Sequence, residues 1–244
     1  PDQQAVIDEI CRKLHSKQYA EKVVDQIRHD GGGENLAGCS IGLFGEPGSG
    51  KFEFVLTGRH CTRRCDGDSV AGAAFGGPIF YGHAADGFDE GPEHKGNAYW
   101  FQAKRANALY AALDGKQQEA GLIAARPRGE GATKNFILSN QFPDERLGLA
   151  AGDMSADQKE LARKVMSDLL APFRKEDRDE SMKLVEKQGF DKLNFAWYSR
   201  NDIGDDKVWD VWQVEGPSML WMFRGAPHVH TWVHIRDPDV VARG

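Results

Sequence analysis

The chain contains 244 residues, of which 40% are apolar and 28% are charged. This composition, with 28 glycines that indicate many tight turns, is typical of a globular protein and excludes a collagen, a coiled coil or a wholly disordered chain. No run of about 18 uninterrupted apolar residues occurs, so the sequence predicts no membrane span. Its 31 basic and 37 acidic residues give a net charge of −6, which argues against nucleic acid as a partner.

The first half of the chain is predicted to begin with helices and to continue with strands. Apolar residues recur at helical spacing through residues 1–33, a segment that ends in three consecutive glycines. Residues 40–44 and 52–62 have the character of strands, and the glycine-containing loop between them predicts a hairpin. A further strand is predicted near residues 79–81. A stripe of apolar side chains predicts a helix over residues 97–114.

The second half is predicted to repeat that order, with helices first. One helix begins at Ser155, which forms a capping box with Gln158, and another covers residues 177–188. Residues 135–138, in a loop-rich stretch, are compatible with a short strand. Four strands with short turns then follow, at residues 193–199, 208–215, 218–223 and 228–236.

This order of elements predicts an α+β fold with mostly antiparallel sheet, packed with four or five helices. We expect one domain over residues 1–244. Within it, residues 1–33 form a helical N-terminal segment. Residues 40–150 form a first half of strands, loops and a helix, and residues 151–244 form a second half of helices and strands.

The four cysteines match no zinc-ribbon or thioredoxin spacing. They are Cys11, Cys39, Cys61 and Cys65. Four residues along an extended strand span about 13 Å, which is too far for a disulfide between Cys61 and Cys65. Pairing of either one with Cys11 or Cys39 stays open.

Residues 45–51 match the G-x-x-x-x-G-K pattern of phosphate-binding loops. That chemistry also needs a serine or threonine at the next position, to hold Mg²⁺, and a helix whose N-terminus faces the phosphates. Phe52 occupies the position where the serine or threonine is required, and the residues that follow it have the character of a strand and not of a helix. We therefore predict a hairpin loop with Lys51 exposed at its base, and no nucleotide site.

Six of the eight histidines fall into two groups: His60, His83 and His94 in the first half, and His228, His230 and His234 near the end. Alternate side chains of a strand share one face about 6.7 Å apart, so His228 and His230 can present two imidazoles to one metal. His60 and His83 are the candidates that complete the ligand set, and we expect His60 to lie near His230. The alternative is that buried hydrogen bonds or solvent satisfy these imidazoles.

The last predicted strand has two different rows of side chains. The odd row of Val229, Thr231, Val233 and Ile235 is β-branched throughout and is predicted to face the core. The even row, from His228 to Arg236, is too polar to be buried without partners. We therefore expect the even row to meet solvent, a cleft or a ligand.

Five further residues are candidates for catalysis or for contact with a substrate. Glu90 and Glu215 are the candidate catalytic residues, because a carboxylate can orient a metal ligand or act as general base on bound water. Trp100, Asn107 and Trp212 are the candidate substrate-binding residues, because aromatic faces and amides recognise polar ligands. The alternative is structural: a solvated carboxylate beside a turn, a half-exposed helix flank or an aromatic ring packed in the core.

Five segments in one order carry a resemblance to a known family. They read GRHCTRRCDGD, AFGGPIFYGH, GNAYWFQAKRAN, WDVWQVEGP and FRGAPHVHTWVHIRDP, and all lie between residues 40 and 240. They resemble the bacterial domain-of-unknown-function 3500 family. Residues 58–60 resemble its glycine–histidine element, Gly216-Pro217 its strand turn and residues 228–230 its His-x-His element, whereas Arg59 stands where many relatives carry a second histidine.

The resemblance implies a shared fold and supplies no catalytic residues, because the family has no assigned activity. It also implies an exported or periplasmic protein, and we expect that a leader has been removed before Pro1.

These observations favour a metal-assisted enzyme, a hydrolase or an oxidoreductase, that acts on a polar small molecule through a histidine-rich site holding zinc or a similar divalent ion. Whether the chain is an enzyme stays open. The alternative is a non-catalytic ligand-binding module with aromatic stacking surfaces, and the third option is a structural or partner-binding protein. The reaction, the substrate and the oligomeric state are not determined by the sequence.

Overall fold

The computed structural model describes residues 2–67, 70–83, 98–125, 142, 145–200, 202, 208–225 and 227–241. These residues form an α+β fold around one ten-stranded sheet. The strands are β1 (Ser40–Glu46), β2 (Lys51–Gly58), β3 (Cys61–Asp66), β4 (Ile79–Gly82), β5 (Leu122–Ile123), β6 (Leu149–Ala150), β7 (Asn194–Tyr198), β8 (Val211–Gly216), β9 (Met219–Arg224) and β10 (His230–Ile235).

The sheet has the order β1-β2-β3-β4-β10-β9-β8-β7-β5, and β6 also pairs with β7. Every pairing is antiparallel except that of β5 with β7. The predicted mostly antiparallel α+β class is therefore confirmed. Because β4 pairs with β10, strands from both predicted halves of the chain join in one sheet.

Seven α-helices lie within the described ranges. They are α1 (Asp2–Lys13), α2 (Ala20–Ile27), α3 (Trp100–Ala111), α4 (Gly115–Gly121), α5 (Ala156–Leu170), α6 (Lys175–Lys187) and α7 (Pro238–Val241). The predicted capping box of Ser155 and Gln158 begins α5. The sequence predicted four or five helices, and the two additional ones, α4 and α7, are short. None of these helices has the length and apolar character that crossing a bilayer requires.

The predicted hairpin between residues 40 and 62 is present, but its second strand is shorter than the sequence indicated. Strands β1 and β2 pair from Ser40 with Thr57 to Glu46 with Lys51, so residues 45–51 form a hairpin and not a phosphate-binding loop. The predicted strand at residues 52–62 turns at Arg59-His60 into β3. The strand suggested at residues 135–138 lies outside the described residues.

The two faces of the sheet pack differently. The main core joins the helices to one face and includes Val229, Val233 and Ile235 of the odd row, as predicted. A second, smaller apolar cluster lies on the other face and includes Trp232 of the even row. Trp232 and His234 are buried, with the ring of Phe142 stacked on His234, whereas His228, His230 and Arg236 are half-buried, so only these three members of the even row are partly open to solvent.

Candidate metal centre

Three histidine side chains converge at one end of the central strands. His60 lies in the turn between β2 and β3, His228 two residues before β10, and His230 at the first position of β10. The Nε2 atom of His230 lies 2.9 Å from the Nε2 atoms of both His60 and His228. One ring nitrogen from each of the three lies within 4.8 Å of the others. The prediction that His60 lies near His230 is confirmed.

The strand register explains this convergence. Cys61 pairs with Tyr81, and Tyr81 pairs with Thr231, so these three side chains share the face of the main core. His60 directly precedes Cys61, and His230 directly precedes Thr231. Because successive side chains of a strand point to opposite faces, the two histidines lie next to each other on the other face. Gly82 pairs with His230, and a Cβ atom on Gly82 would lie 2.0 Å from the carbonyl oxygen of Val229. Glycine is therefore required where β4 meets the His-x-His segment.

A buried carboxylate orients His60. The Oδ2 atom of Asp30 lies 2.5 Å from Nδ1 of His60, and the Asp30 side chain is 4% exposed. Asp30 lies in a π-helical turn, Arg28–Gly32, that follows α2. A neutral imidazole that donates its Nδ1 proton to a carboxylate has its lone pair on Nε2. This lone pair is what binds a metal. Sequence reasoning missed Asp30, because the glycines that follow it indicated only the end of a helix.

A cavity of about 220 Å³ lies beside the Asp30–His60 pair. Its lining comprises Ile27, Asp30, Gly31, Gly32, Gly38, Cys39, Gly58, Arg59, His60 and Cys61. A Cβ atom on Gly38 would lie 2.3 Å from the carbonyl oxygen of Gly31, so the glycines allow the backbone segments around this cavity to approach closely. The volume is smaller than that of pockets for drug-sized ligands and suits a small molecule.

The electrostatic environment keeps His228 neutral. Burial first, and then the neighbouring His230 and the charge of Arg224, lower the pKa of His228 to about 4. A neutral imidazole is the form that binds a metal. Phe80 packs edge-on against His230, with ring centroids 5.3 Å apart, and forms an apolar wall on one side of the cluster.

The donor set fits a divalent transition metal such as zinc. Zinc–nitrogen bonds of about 2.0–2.1 Å in a tetrahedron require ligand nitrogens roughly 3.3 Å apart, and the 2.9 Å separations are close to that spacing. His60 is buried, whereas His228 and His230 are half-buried. Asp30 supplies the outer hydrogen bond that metal-binding histidines usually make.

His83 lies next to this cluster and is not part of it. Its ring centroid is 6.2 Å from that of His228, and the residue is 1% exposed. Its backbone N–H donates to the carbonyl oxygen of Val229. Three of the four histidines predicted as metal ligands therefore converge, and the fourth packs beside them.

The structure does not bring Glu215 to the histidines. Glu215 pairs with Leu220, and Leu220 pairs with His234, so Glu215 lies on the same sheet face as His230 but four residues farther along the strands. This offset is about 13 Å. The Glu215 side chain is buried, and its Oε2 atom accepts from the backbone N–H of Leu147. Glu90, the other predicted catalytic carboxylate, lies outside the described residues.

The three predicted substrate-binding residues are buried on the helix-covered side of the sheet. Trp212 pairs with Phe223, which pairs with Thr231, so Trp212 belongs to the face opposite His230. Its ring stacks on Phe223 in the main core. Trp100 is buried in the same core. Asn107 is buried and bonds both to the backbone N–H of Trp209, at 2.7 Å, and to its carbonyl oxygen, at 3.0 Å.

Fold and site together define an α+β protein in which one sheet carries a three-histidine cluster at the end of its central strands. The chain belongs to the family described as protein of unknown function (DUF3500), whose model matches residues 1–240. The resemblance seen in the sequence segments is thereby confirmed. Searches among curated proteins and among solved structures find no match. The family description names no activity, so function has to be argued from the site.

Proposed function

We propose that this protein binds zinc or a similar divalent ion through His60, His228 and His230 and uses it to hydrolyse a polar small molecule. The observation that supports this most directly is the convergence of the three imidazole nitrogens within 4.8 Å. Three protein ligands are the number that catalytic zinc sites use, with a fourth position left for water or substrate. Structural zinc sites, by contrast, fill all four positions from the protein.

The chain's own residues would supply binding and orientation. Three neutral imidazoles leave the charge of a divalent ion uncompensated, and such an ion lowers the pKa of a bound water to about 7. Asp30 would hold the ring of His60 with Nε2 directed at the ion. The apolar ring of Phe80, in contact with His60 and His230, would reduce the local dielectric constant and strengthen the electrostatic effect of the ion.

Zinc binding is tested first, on protein stripped by a chelator and titrated with zinc against a chromophoric competitor. We expect one zinc ion per chain. His230→Ala should weaken the affinity by more than about 100-fold, and Asp30→Asn, which keeps the ligands but loses the carboxylate, by about 10- to 100-fold. His29→Ala, an exposed histidine on the same segment as Asp30, is the matched control and should bind like the wild type. Equal affinity in all four proteins would refute the site.

Hydrolysis is tested with p-nitrophenyl acetate and p-nitrophenyl phosphate as probes on the zinc-loaded protein. The proposal expects turnover that requires zinc and is lost in His230→Ala. A protein that holds zinc and hydrolyses neither probe would favour the non-catalytic ligand-binding module. Purification with bound copper or iron that changes oxidation state during turnover would favour an oxidoreductase at the same three histidines.

A further inference from the structure

A cationic side chain lies beside the candidate metal centre. Arg224 is the last residue of β9 and pairs directly with His230, so the two side chains share one face of the sheet. The Nη2 atom of Arg224 lies 3.5 Å from the carbonyl oxygen of His228. The guanidinium group is therefore next to the segment that carries two of the three histidines.

The charge of Arg224 lies beside two histidines of the cluster, since Arg224 pairs with His230 and its guanidinium group reaches the carbonyl oxygen of His228. Arg224, His228 and His230 are all half-buried, so solvent screens the interaction only in part. A guanidinium group stays protonated at any ordinary pH. A fixed positive charge at this position disfavours a bound cation and favours any anion that lies between the cation and the arginine.

We infer that the site takes small molecules that carry a carboxylate or phosphate group, and that Arg224 binds this oxyanion. The inference rests on the proposed metal site, since the ion and Arg224 would hold the substrate from two sides. The planar guanidinium group can bind either oxyanion through two parallel hydrogen bonds, which makes arginine better suited than lysine to this contact. Arg224 is then a specificity-determining residue, and the histidines bind the metal.

A second arginine on the same strands provides a matched control. Arg236 follows β10 and belongs to the even row that begins with His228 and His230. It lies six residues after His230, which corresponds to roughly 20 Å along the strand. Arg236→Gln therefore removes the same charge from the same sheet face without touching the histidine cluster.

The experiment is a calorimetric titration with acetate and with inorganic phosphate, on the metal-free and the cobalt-loaded protein. Wild type should bind at least one of the two anions, and Arg224→Gln should weaken that binding by about tenfold or more. Arg224→Lys keeps the charge but loses the planar fork, so its anion affinity should lie between those of the wild type and Arg224→Gln. The two anions separate carboxylate recognition from phosphate recognition. Arg236→Gln should bind both anions like the wild type.

The metal affinity of the same variants separates this inference from the proposed function. Arg224→Gln should bind cobalt as tightly as wild type or more tightly, because a repelling charge is gone. Absence of cobalt binding in the wild type would refute the metal site, and the anion titration of the metal-free protein would still decide the role of Arg224. Failure of the wild type to bind either anion, or equal losses in Arg224→Gln and Arg236→Gln, would overturn the inference.

Discussion

Arg63 and His15 form a buried polar pair that links the sheet to the first helix. The Nε atom of Arg63 donates to Nε2 of His15 at 2.8 Å, and Nδ1 of His15 lies 2.7 Å from the carbonyl oxygen of Cys11. An imidazole that accepts at Nε2 must be neutral with its proton on Nδ1. Burial, and then the charge of Arg63, lower the pKa of His15 to about 3.

This neutral histidine predicts a loss of stability in acid. The unfolded chain takes up the proton near pH 6.5 and the folded chain only near pH 3, so the free energy of unfolding falls as the pH drops between these values. One such group contributes a slope of up to about 1.4 kcal/mol per pH unit. His15→Gln can keep both hydrogen bonds without titrating, so its unfolding free energy should depend less on pH between 6.5 and 4. Urea unfolding at several pH values measures this.

His29→Gln is the control for that measurement, because His29 is exposed. The unfolding free energy of His15→Gln should depend less on pH than that of His29→Gln. A His15→Gln protein with an unchanged slope would contradict the assignment of His15 as the buried neutral group.

The roles of Asp30 and Arg63 could not be predicted from the sequence. Each acts through a partner far along the chain, 30 residues away for Asp30 with His60 and 48 residues away for Arg63 with His15. Local patterns report the neighbours of a residue within one element, and they do not report such distant pairs. His228 and His230 could be proposed from sequence because both lie on one alternating segment.

At the scale of elements, the contact between β4 and β10 positions the His-x-His segment. The pair Gly82–His230 begins this contact, and a side chain at Gly82 would meet the backbone of Val229. Gly82→Ala should therefore separate the two strands at the end that carries the candidate metal centre. We expect it to destabilise the protein by about 1–3 kcal/mol and to lower zinc affinity, measured by urea unfolding and by competition titration.

Gly115→Ala is the matched control for that substitution. Gly115 begins α4, and a Cβ atom there would meet nothing within 4 Å. The variant should retain zinc affinity and wild-type stability, or gain about 0.5–1 kcal/mol. Wild-type zinc affinity in Gly82→Ala would mean that the close approach of β4 and β10 does not position His230.

The β2–β3 hairpin shows why one element was predicted incompletely. Residues 52–62 have strand character throughout, and only Gly58 interrupts the side-chain pattern, so the sequence indicated one strand. Propensity does not reveal that Gly58 and Cys61 pair across a turn of two residues, Arg59 and His60. This turn places His60 at the end of the sheet. In a continuous strand, His60 would instead lie within the strand.

At the scale of the molecule, the class of fold could be predicted and the assembly of the sheet could not. The order of helices and strands indicated α+β, since it lacks the alternation of a parallel sheet. The pairing of β4 with β10, which unites the two halves, depends on strands about 150 residues apart, and sequence periodicity carries no information on such pairing. The candidate site lies at this junction, because the pairs Cys61–Tyr81 and Tyr81–Thr231 bring His60 next to His230.

The proposed metal would therefore connect distant parts of the chain and should stabilise the folded state. His60 and His230 are separated by 170 residues, and Asp30 attaches the N-terminal helical segment to the same cluster. An ion that binds only the folded protein adds about 2.7 kcal/mol when its free concentration is 100 times the dissociation constant. For a chain of this size, that corresponds to a rise in Tm of roughly 5–11 °C.

Differential scanning calorimetry of the stripped protein, with and without zinc, measures this shift. Mg²⁺ at the same concentration should leave Tm unchanged, because it prefers oxygen ligands to imidazole. His230→Ala should unfold at the same temperature with and without zinc, since the ion loses the ligand that lies within 2.9 Å of both other histidines. An equal zinc-induced rise in His230→Ala would place the stabilising ion elsewhere on the protein and would contradict the three-histidine centre.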